Sequence, residues 1–166
     1  MKVFLGTDHA GLEFKNEMKS FLSGLGYDVV DCGPESFDPN DDYPDFIGAA
    51  AKNVSENEGT VGIVFGGSGQ GEQMAANKFR GVRCALFYSK AIPTAAVDVS
   101  GAKSQDPFEI IKLTREHNDA NMLSFGIRFL TIEDAKSAAK LFLETPFPGE
   151  KRHKRRIDKI SKLEEK

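Results

Sequence analysis

The sequence is poor in several residue types, and each shortage excludes a class of protein. Its 166 residues include two cysteines and three histidines, all well separated along the chain. This pattern excludes a disulfide framework and zinc-type ligand spacing, so we expect no metal site. Every apolar stretch is shorter than the ~18 residues that a membrane span needs. The first residues, MKVFLGTDHA, lack the apolar segment and cleavage site of a signal peptide. We therefore expect a cytoplasmic protein with no membrane partner.

The excess of one sign of charge over the other is also small, and this limits the partners that the chain can have. The formal net charge is -3, and this argues against a protein that binds nucleic acid through bulk positive charge. Hydrophobic residues make up 40% of the chain, enough for one ordinary core. We expect a single α/β domain over residues 1–149. A basic helix over residues 150–166 is expected to pack on this domain or on a partner subunit.

Short apolar runs alternate with helical patterns along the chain. Strands are predicted at 2–6, 27–30, 61–65, 82–87 and 122–125, and helices at 12–25, 44–57, 71–79, 132–144 and 150–166. The segment 91–110 fits neither pattern, and its residues 98–107 (DVSGAKSQDP) are predicted to form a loop. This alternation is typical of a three-layer α/β/α fold with a Rossmann-like, five-stranded parallel sheet.

Polar clusters follow three of these strands. Asp8 and His9 come after the first strand, Tyr43 lies in the loop after the second, and a glycine-rich loop follows the third. Ligands of parallel sheets bind beyond the carboxyl ends of the strands. The three clusters therefore predict a site at that edge.

The glycine-rich loop reads GGSGQGE over residues 66–72. It matches neither a dinucleotide fingerprint nor a phosphate-binding P-loop. It fits a tight turn in which Glu72 favours the helix dipole. It fits equally well a site where Glu72 takes a carbon-bound proton while backbone N–H groups stabilise the enolate oxygen.

The remaining polar motifs also have two interpretations. Asp8 suits a helix cap, and the run HNDAN at 117–121 suits a turn. Arg152 and Arg156 are four residues apart, so on a helix they share one face. That face is either solvated or binds phosphate, for which arginine forks are suited.

Six motifs in order resemble ribose-5-phosphate isomerase type B, a family that includes galactose-6-phosphate and allose-6-phosphate isomerases. The motifs are DHAG at 8–11, DxG at 31–33, DYPD at 42–45, GGSGxGEQxAANK at 66–78, HNDAN at 117–121 and RHxxR at 152–156. The resemblance covers nearly the whole chain except residues 91–112.

The resemblance implies an aldose–ketose isomerase that interconverts D-ribose 5-phosphate and D-ribulose 5-phosphate through a cis-enediol, with no cofactor. It implies that Glu72 is the base and that Asp8 and His117 serve ring opening. The other implied contacts are Ser68, Gly67, Gly69 and Gly71 for the enediolate oxygens, Asn118 beside His117, Tyr43 for the sugar, and His9, Arg128, Arg152 and Arg156 for the phosphate.

The resemblance also implies a homodimer with active sites shared between subunits, and it allows two dimers to assemble further. His117, Asn118 and Arg128 are then expected to enter each site from the neighbouring subunit.

Two departures keep other functions open. Many relatives carry a cysteine base where this chain has Gly66, whereas another branch places a glutamate at the position of Glu72. The span 89–114 is longer than in relatives and is expected to reshape the sugar pocket, cover it or add subunit contacts. A six-carbon sugar phosphate as substrate, or a non-catalytic phosphosugar-binding protein, therefore remain as alternatives.

Overall fold

The computed structural model describes residues 1–165 and forms a five-stranded sheet flanked by helices. The strands are β1 (Lys2–Gly6), β2 (Asp28–Asp31), β3 (Val61–Gly66), β4 (Cys84–Phe87) and β5 (Met122–Gly126). The α-helices are α1 (Leu12–Gly24), α2 (Tyr43–Glu56), α3 (Gln70–Ala76), α4 (Glu109–Asn118), α5 (Ile132–Glu144) and α6 (Lys151–Ser161). All strand pairs are parallel, in the order β2-β1-β3-β5-β4. The predicted three-layer α/β/α fold is confirmed.

Two apolar cores lie on the two faces of the sheet. Helices α2 and α3 cover one face with small and branched residues such as Ile47 and Ala50. Helices α1, α4 and α5 cover the other face, with Met18, Ile111 and Phe142 among the buried residues. Strand β3 is buried along its whole length, as expected for the central strand of a parallel sheet covered on both faces.

Local side-chain bonds set several element ends. Thr131 caps α5 by accepting a hydrogen bond from the Asp134 N–H at 3.1 Å, so this helix begins where a capping signal predicts it. Asn77 accepts from the backbone N–H of Cys84 at 2.8 Å and donates to its carbonyl at 2.9 Å. Because Asn77 is used in this way, α3 ends at Ala76 and β4 begins at Cys84. Both elements are shorter than the sequence predicts.

The segment before α4 is irregular, as predicted, but it has a defined path. The Ala91 N–H donates to the Pro107 carbonyl at 3.0 Å, so the two ends of this segment meet. Inside it, the Val97 N–H donates to the Ala102 carbonyl at 2.8 Å. We call residues 92–106 the closed loop. Helix α4 directly after it was not predicted from the sequence.

The C-terminal helix α6 packs against α4 of the same chain. The short 3-10 helix that follows it, Lys162–Glu165, is tied back to the domain by a hydrogen bond from the Gly81 N–H to the Glu164 carboxylate at 2.9 Å. Within residues 1–165, none of the helices has the length and apolar character to cross a membrane.

Candidate active site

The carboxyl edge of the sheet brings together the residues that follow β1, β3 and β5. Gly66 at the end of β3 pairs in register with Gly126 at the end of β5. Arg128 follows two residues later, and its N–H donates to the Gly67 carbonyl at 3.1 Å. The glycine-rich loop and Arg128 of one chain thus form one wall of a site, which we call the carboxyl-edge half-site. The expectation that Arg128 enters from a neighbouring subunit is wrong, because Arg128 lies against the loop of its own chain.

Each glycine of the loop has a protein group close to its α-carbon. A Cβ on Gly67 would lie 2.9 Å from the Arg128 guanidinium carbon, and one on Gly71 would lie 2.7 Å from the Tyr43 hydroxyl. Gly69 adopts a φ of 74°, in the left-handed region that favours glycine. Much of the glycine content therefore serves the close approach of Arg128 and Tyr43, a role that the sequence alone did not reveal.

Glu72 lies in the first turn of α3 and folds back over the end of β3. Its carboxylate occupies the space that a side chain at position 66 would fill, since a Cβ on Gly66 would lie 1.9 Å from the Glu72 carboxyl carbon. The residue is only 5% exposed. A cysteine at position 66 and this orientation of Glu72 therefore exclude each other.

Burial decides the proton affinity of Glu72. Loss of hydration raises the pKa of the Glu72 carboxyl, hydrogen bonding to backbone opposes the rise, and nearby Asp8 adds to it while Arg128 opposes it. The net direction is upward. A carboxylate with a raised pKa is a stronger base, which is what abstraction of a carbon-bound proton requires.

The chain that follows β2 brings Asp41 and Tyr43 to this edge. Lys15 is completely buried and bonds both carboxylate oxygens of Asp31 at 2.6 Å. Asp31 also accepts from the Gly33 N–H at 3.0 Å. These bonds fix the start of the loop that leads to Tyr43 and to Asp41.

His9 is held by Asp41, a residue that the sequence analysis did not single out. The His9 Nδ1 lies 2.5 Å from Asp41 Oδ1, and the His9 backbone N–H donates to the same oxygen at 3.1 Å. The neighbouring Asp8 accepts from the Ala10 N–H at 3.0 Å, so its capping role is present alongside any other. The acidic run before Tyr43 is the sequence signal that points to Asp41.

Asp8, His9 and Asp41 offer three ligand atoms within 4.8 Å of one another, the spacing of a metal site. Asp41 already bonds the Nδ1 of His9. Since Asp41 already bonds His9 and Asp8 already accepts from the Ala10 N–H, we assign no ion to them.

Ser68 sits at the start of α3, within the glycine-rich loop. Its hydroxyl accepts from the Gln70 N–H at 3.4 Å. The Gly69 carbonyl accepts from the buried Ser124 hydroxyl at 2.7 Å, which ties the loop to β5. The loop is thus fixed from both sides.

A second set of predicted residues lies at the opposite edge of the sheet. Helix α4 ends at Asn118, just before the amino end of β5. His117 stacks on His153 of α6, with ring centroids 4.3 Å apart. Arg152 donates from Nε to Glu150 at 2.9 Å and to His153 at 3.0 Å. We call this the amino-edge half-site; Arg156, one helical turn beyond Arg152, belongs to the same helix.

The two half-sites of one chain do not meet. They are separated by at least the length of β5, about 15 Å for a five-residue strand. One chain therefore does not bring Glu72 and His117 to a common substrate.

The closed loop lies beside the amino-edge half-site. A cavity of about 380 Å³ is bounded on one side by Val97, Asp98 and Lys103 of the closed loop and on the other by His117 and Arg152. The long span before His117 thus lines the same cavity as the predicted site residues His117 and Arg152.

The fold and the carboxyl-edge half-site define the class: an α/β sugar-phosphate isomerase whose glycine-rich loop holds a buried glutamate. The comparisons with known proteins agree. A family model described as Ribose/Galactose Isomerase matches residues 3–104 and 98–160, and the chain belongs to this family. The two matched segments overlap at residues 98–104, within the closed loop.

One curated relative and two solved structures share the name ribose-5-phosphate isomerase B. Ribose-5-phosphate isomerase B of Mycobacterium tuberculosis is 42% identical over 99% of this chain and 90% of that protein. The crystal structure of ribose-5-phosphate isomerase B from Mycoplasma genitalium with bound ribulose-5-phosphate has a TM-score of 0.85 and 37% identity, over 99% of this chain and 97% of that one. The Clostridium thermocellum enzyme has a TM-score of 0.83 and 34% identity, over 99% and 98%. The chain is an aldose–ketose isomerase of the ribose-5-phosphate isomerase B type.

Proposed function

We propose that the chain interconverts D-ribose 5-phosphate and D-ribulose 5-phosphate through a cis-enediol, with Glu72 as the base. The observation that carries the proposal is the buried Glu72 carboxylate, folded over Gly66 beside Arg128. Glu72 takes the proton from C2 of the open-chain aldose and returns it to C1. The electrons of the broken C2–H bond form the C1=C2 double bond, and the carbonyl electrons move to O1 to give the enediolate, whose oxygens face Ser68 and the backbone N–H groups of the loop. The proton of the C2 hydroxyl passes to O1, so C2 becomes the carbonyl carbon when C1 takes up the returned proton.

The remaining carboxyl-edge groups bind the two ends of the substrate. Tyr43, with its hydroxyl against Gly71, lines the sugar. His9 and Arg128 are cationic groups at the same edge and suit the phosphate. Asp8, whose charge acts on both Glu72 and His9, is placed to help open the furanose ring.

We further propose that the active unit is a homodimer with shared sites, in which two dimers can associate further. The separation of the two half-sites within a chain supports this. In a dimer, the amino-edge residues of one subunit complete the carboxyl-edge half-site of the other. His117, with Asn118 beside it, supplies the acid–base group for ring opening, and Arg152 and Arg156 add to the phosphate contacts. The proposed compartment is the cytoplasm, where phosphorylated sugars are retained because their charge prevents diffusion through membranes.

Turnover of competing substrates tests the reaction. Purified protein is assayed with ribose 5-phosphate, allose 6-phosphate and galactose 6-phosphate, and we expect the highest kcat/KM for ribose 5-phosphate. A higher value for either six-carbon substrate would move the assignment to that isomerase. No turnover of any of the three would favour a phosphosugar-binding protein.

Subunit mixing tests the shared site. Glu72→Gln and His117→Ala proteins are each expected to be nearly inactive, but a mixed dimer contains one site with neither change. Activity should therefore return on mixing. Arg128→Ala should complement His117→Ala but not Glu72→Gln, because Arg128 and Glu72 lie in the same half-site. Recovery in the pair Arg128→Ala with Glu72→Gln would contradict this arrangement.

A further inference from the structure

The contact between Asp41 and His9 joins residues 32 positions apart in the sequence. One carboxylate oxygen, Oδ1, receives both the His9 backbone N–H and the Nδ1 of its ring. The ring is also held edge-on by Phe37, with centroids 5.7 Å apart and planes at 81°. These contacts favour one orientation of the His9 ring, in which Nδ1 faces Asp41.

The burial of Asp41 makes this contact more than a surface ion pair. The Asp41 side chain is 8% exposed, whereas that of His9 is 31% exposed. The other oxygen, Oδ2, is buried and accepts no hydrogen bond from residues 1–165. A buried carboxylate with one oxygen unsatisfied is costly unless a cation balances its charge. Of the groups in contact with it, His9 is the one that can supply that cation.

We propose that Asp41 is a positioning residue for substrate binding: it holds His9 by Nδ1 so that the Nε2–H is directed at the phosphate group of the sugar. A histidine whose Nδ1–H is bonded to a carboxylate has only Nε2 left to offer. With Nδ1 occupied by Asp41, Nε2 is the ring nitrogen left for a ligand, and the His9 side chain is 31% exposed. The inference rests on the proposed phosphate role of His9 and extends it to a group that does not touch the substrate.

The electrostatics act in the same direction. The hydrogen bond to Asp41 raises the pKa of His9, burial opposes the rise, and the charges of Asp8, Asp41 and Asp38 add to it. These three carboxylates are the charged groups that face the ring. Because the pKa is raised, the cationic form persists to higher pH, and its contribution to phosphate binding is lost as the pH rises through that value. Removing Asp41 therefore moves the loss to lower pH.

Nitrogen NMR of the histidine rings tests the contact without any substrate. The chain has three histidines, so single His→Gln variants assign the signals. We expect His9 to titrate at a lower pH in Asp41→Asn than in the unchanged protein, with its Nδ1 signal losing the strongly hydrogen-bonded shift. Identical titration in the two proteins would overturn the proposal, whatever the enzyme turns over.

Kinetics test the consequence for the phosphate. In Asp41→Asn we expect KM for ribose 5-phosphate, and the inhibition constant of inorganic phosphate, to rise about fivefold at pH 8, the usual net effect of one hydrogen bond. The kcat should change by less than about twofold, as expected for a loss of uniform binding. Below the titration of His9 in the variant, the two proteins should converge. If kcat and the inhibition by unphosphorylated ribose weakened as much as KM for ribose 5-phosphate, the whole active site would be distorted. That result would contradict the assignment.

Two control variants separate bond from charge. Asp38→Asn removes a charge that faces His9 but no bond to it, and an exposed charge is screened, so KM should change by less than about twofold. Asp41→Glu keeps the carboxylate and should keep His9 titrating above free imidazole even if Asp41→Asn folds poorly. A Glu variant in which His9 titrates like free imidazole would refute the proposal, as would activation by a divalent cation that depends on Asp41. An unchanged protein that turns over no phosphosugar would instead refute the proposed function, leaving the NMR result to stand by itself.

Discussion

Replacing Gly66 by alanine adds a single methyl group at the place where Glu72 rests. The new Cβ would lie 1.9 Å from the Glu72 carboxyl carbon, whereas ordinary contact begins at 3.4 Å. The carboxylate must therefore move by about 1.5 Å. A displacement of about 1 Å of a reacting group commonly costs ~100-fold in rate. We expect Gly66→Ala to lower kcat by about that factor.

The fold should survive this change. The obstructing atoms are the end of a flexible side chain, so the packing penalty should be about 1–3 kcal/mol. Thermal unfolding followed by circular dichroism measures it, and a coupled assay with ribose 5-phosphate measures kcat. The matched control is Gly24→Ala, where an added Cβ meets nothing within 4 Å. This control should keep its full rate.

A double variant separates displacement of the base from any other effect. If Gly66→Ala acts only by moving Glu72, then adding it to Glu72→Gln should lower the rate no further. Near-normal turnover by Gly66→Ala would refute the reasoning, as would a double variant much slower than Glu72→Gln alone.

Other perturbations address the remaining parts of the site. Because burial raises the pKa of the Glu72 carboxyl, a pH–rate profile should show kcat/KM falling on acidification at a pH above the ordinary pKa of 4.5. Glu72→Gln should lower kcat by at least ~100-fold in the same assay. Alanine at both Arg152 and Arg156 should raise KM for the phosphorylated sugar but not the inhibition constant of ribose; equal effects on both would exclude a phosphate role. Cys84→Ala should leave kcat unchanged, because burial raises the pKa of this thiol and keeps it protonated, so a large loss of rate would require another base. Excision of residues 92–106 should preserve the fold, as judged by the melting temperature, and raise kcat/KM for allose 6-phosphate relative to ribose 5-phosphate, since it opens the cavity beside the amino-edge half-site; an unchanged ratio would exclude the closed loop from specificity.

The sequence predicted the elements whose signal is local. Buried strands such as β3 have continuous apolar runs, and α5 has both a cap and a helical period, so the two were located to within a residue. Helix α4 was missed because its apolar residues Ile110 and Ile111 are adjacent and follow a long irregular segment. Its anchor is tertiary, since Ile111 packs in the core against α5.

The site was predictable to the same extent. Glu72 could be singled out as a candidate because a glycine-rich loop, a strand and a helix start coincide within a few residues. The contact between His9 and Asp41 could not, because it depends on a loop that returns from far along the chain. The placement of Arg128 beside Gly67 likewise follows from the order of β3 and β5 in the sheet, which composition and periodicity do not specify.

The bond between Ala91 and Pro107 has a consequence for how this enzyme can change. Since the two ends of the closed loop meet at one point, its length and content can vary while the strands and helices on either side keep their positions. A peptide segment inserted into the closed loop would lie next to His117, while the fold of the domain stays the same. New substrate preferences, or an attached reporter, could thus be introduced by splicing a single stretch of chain.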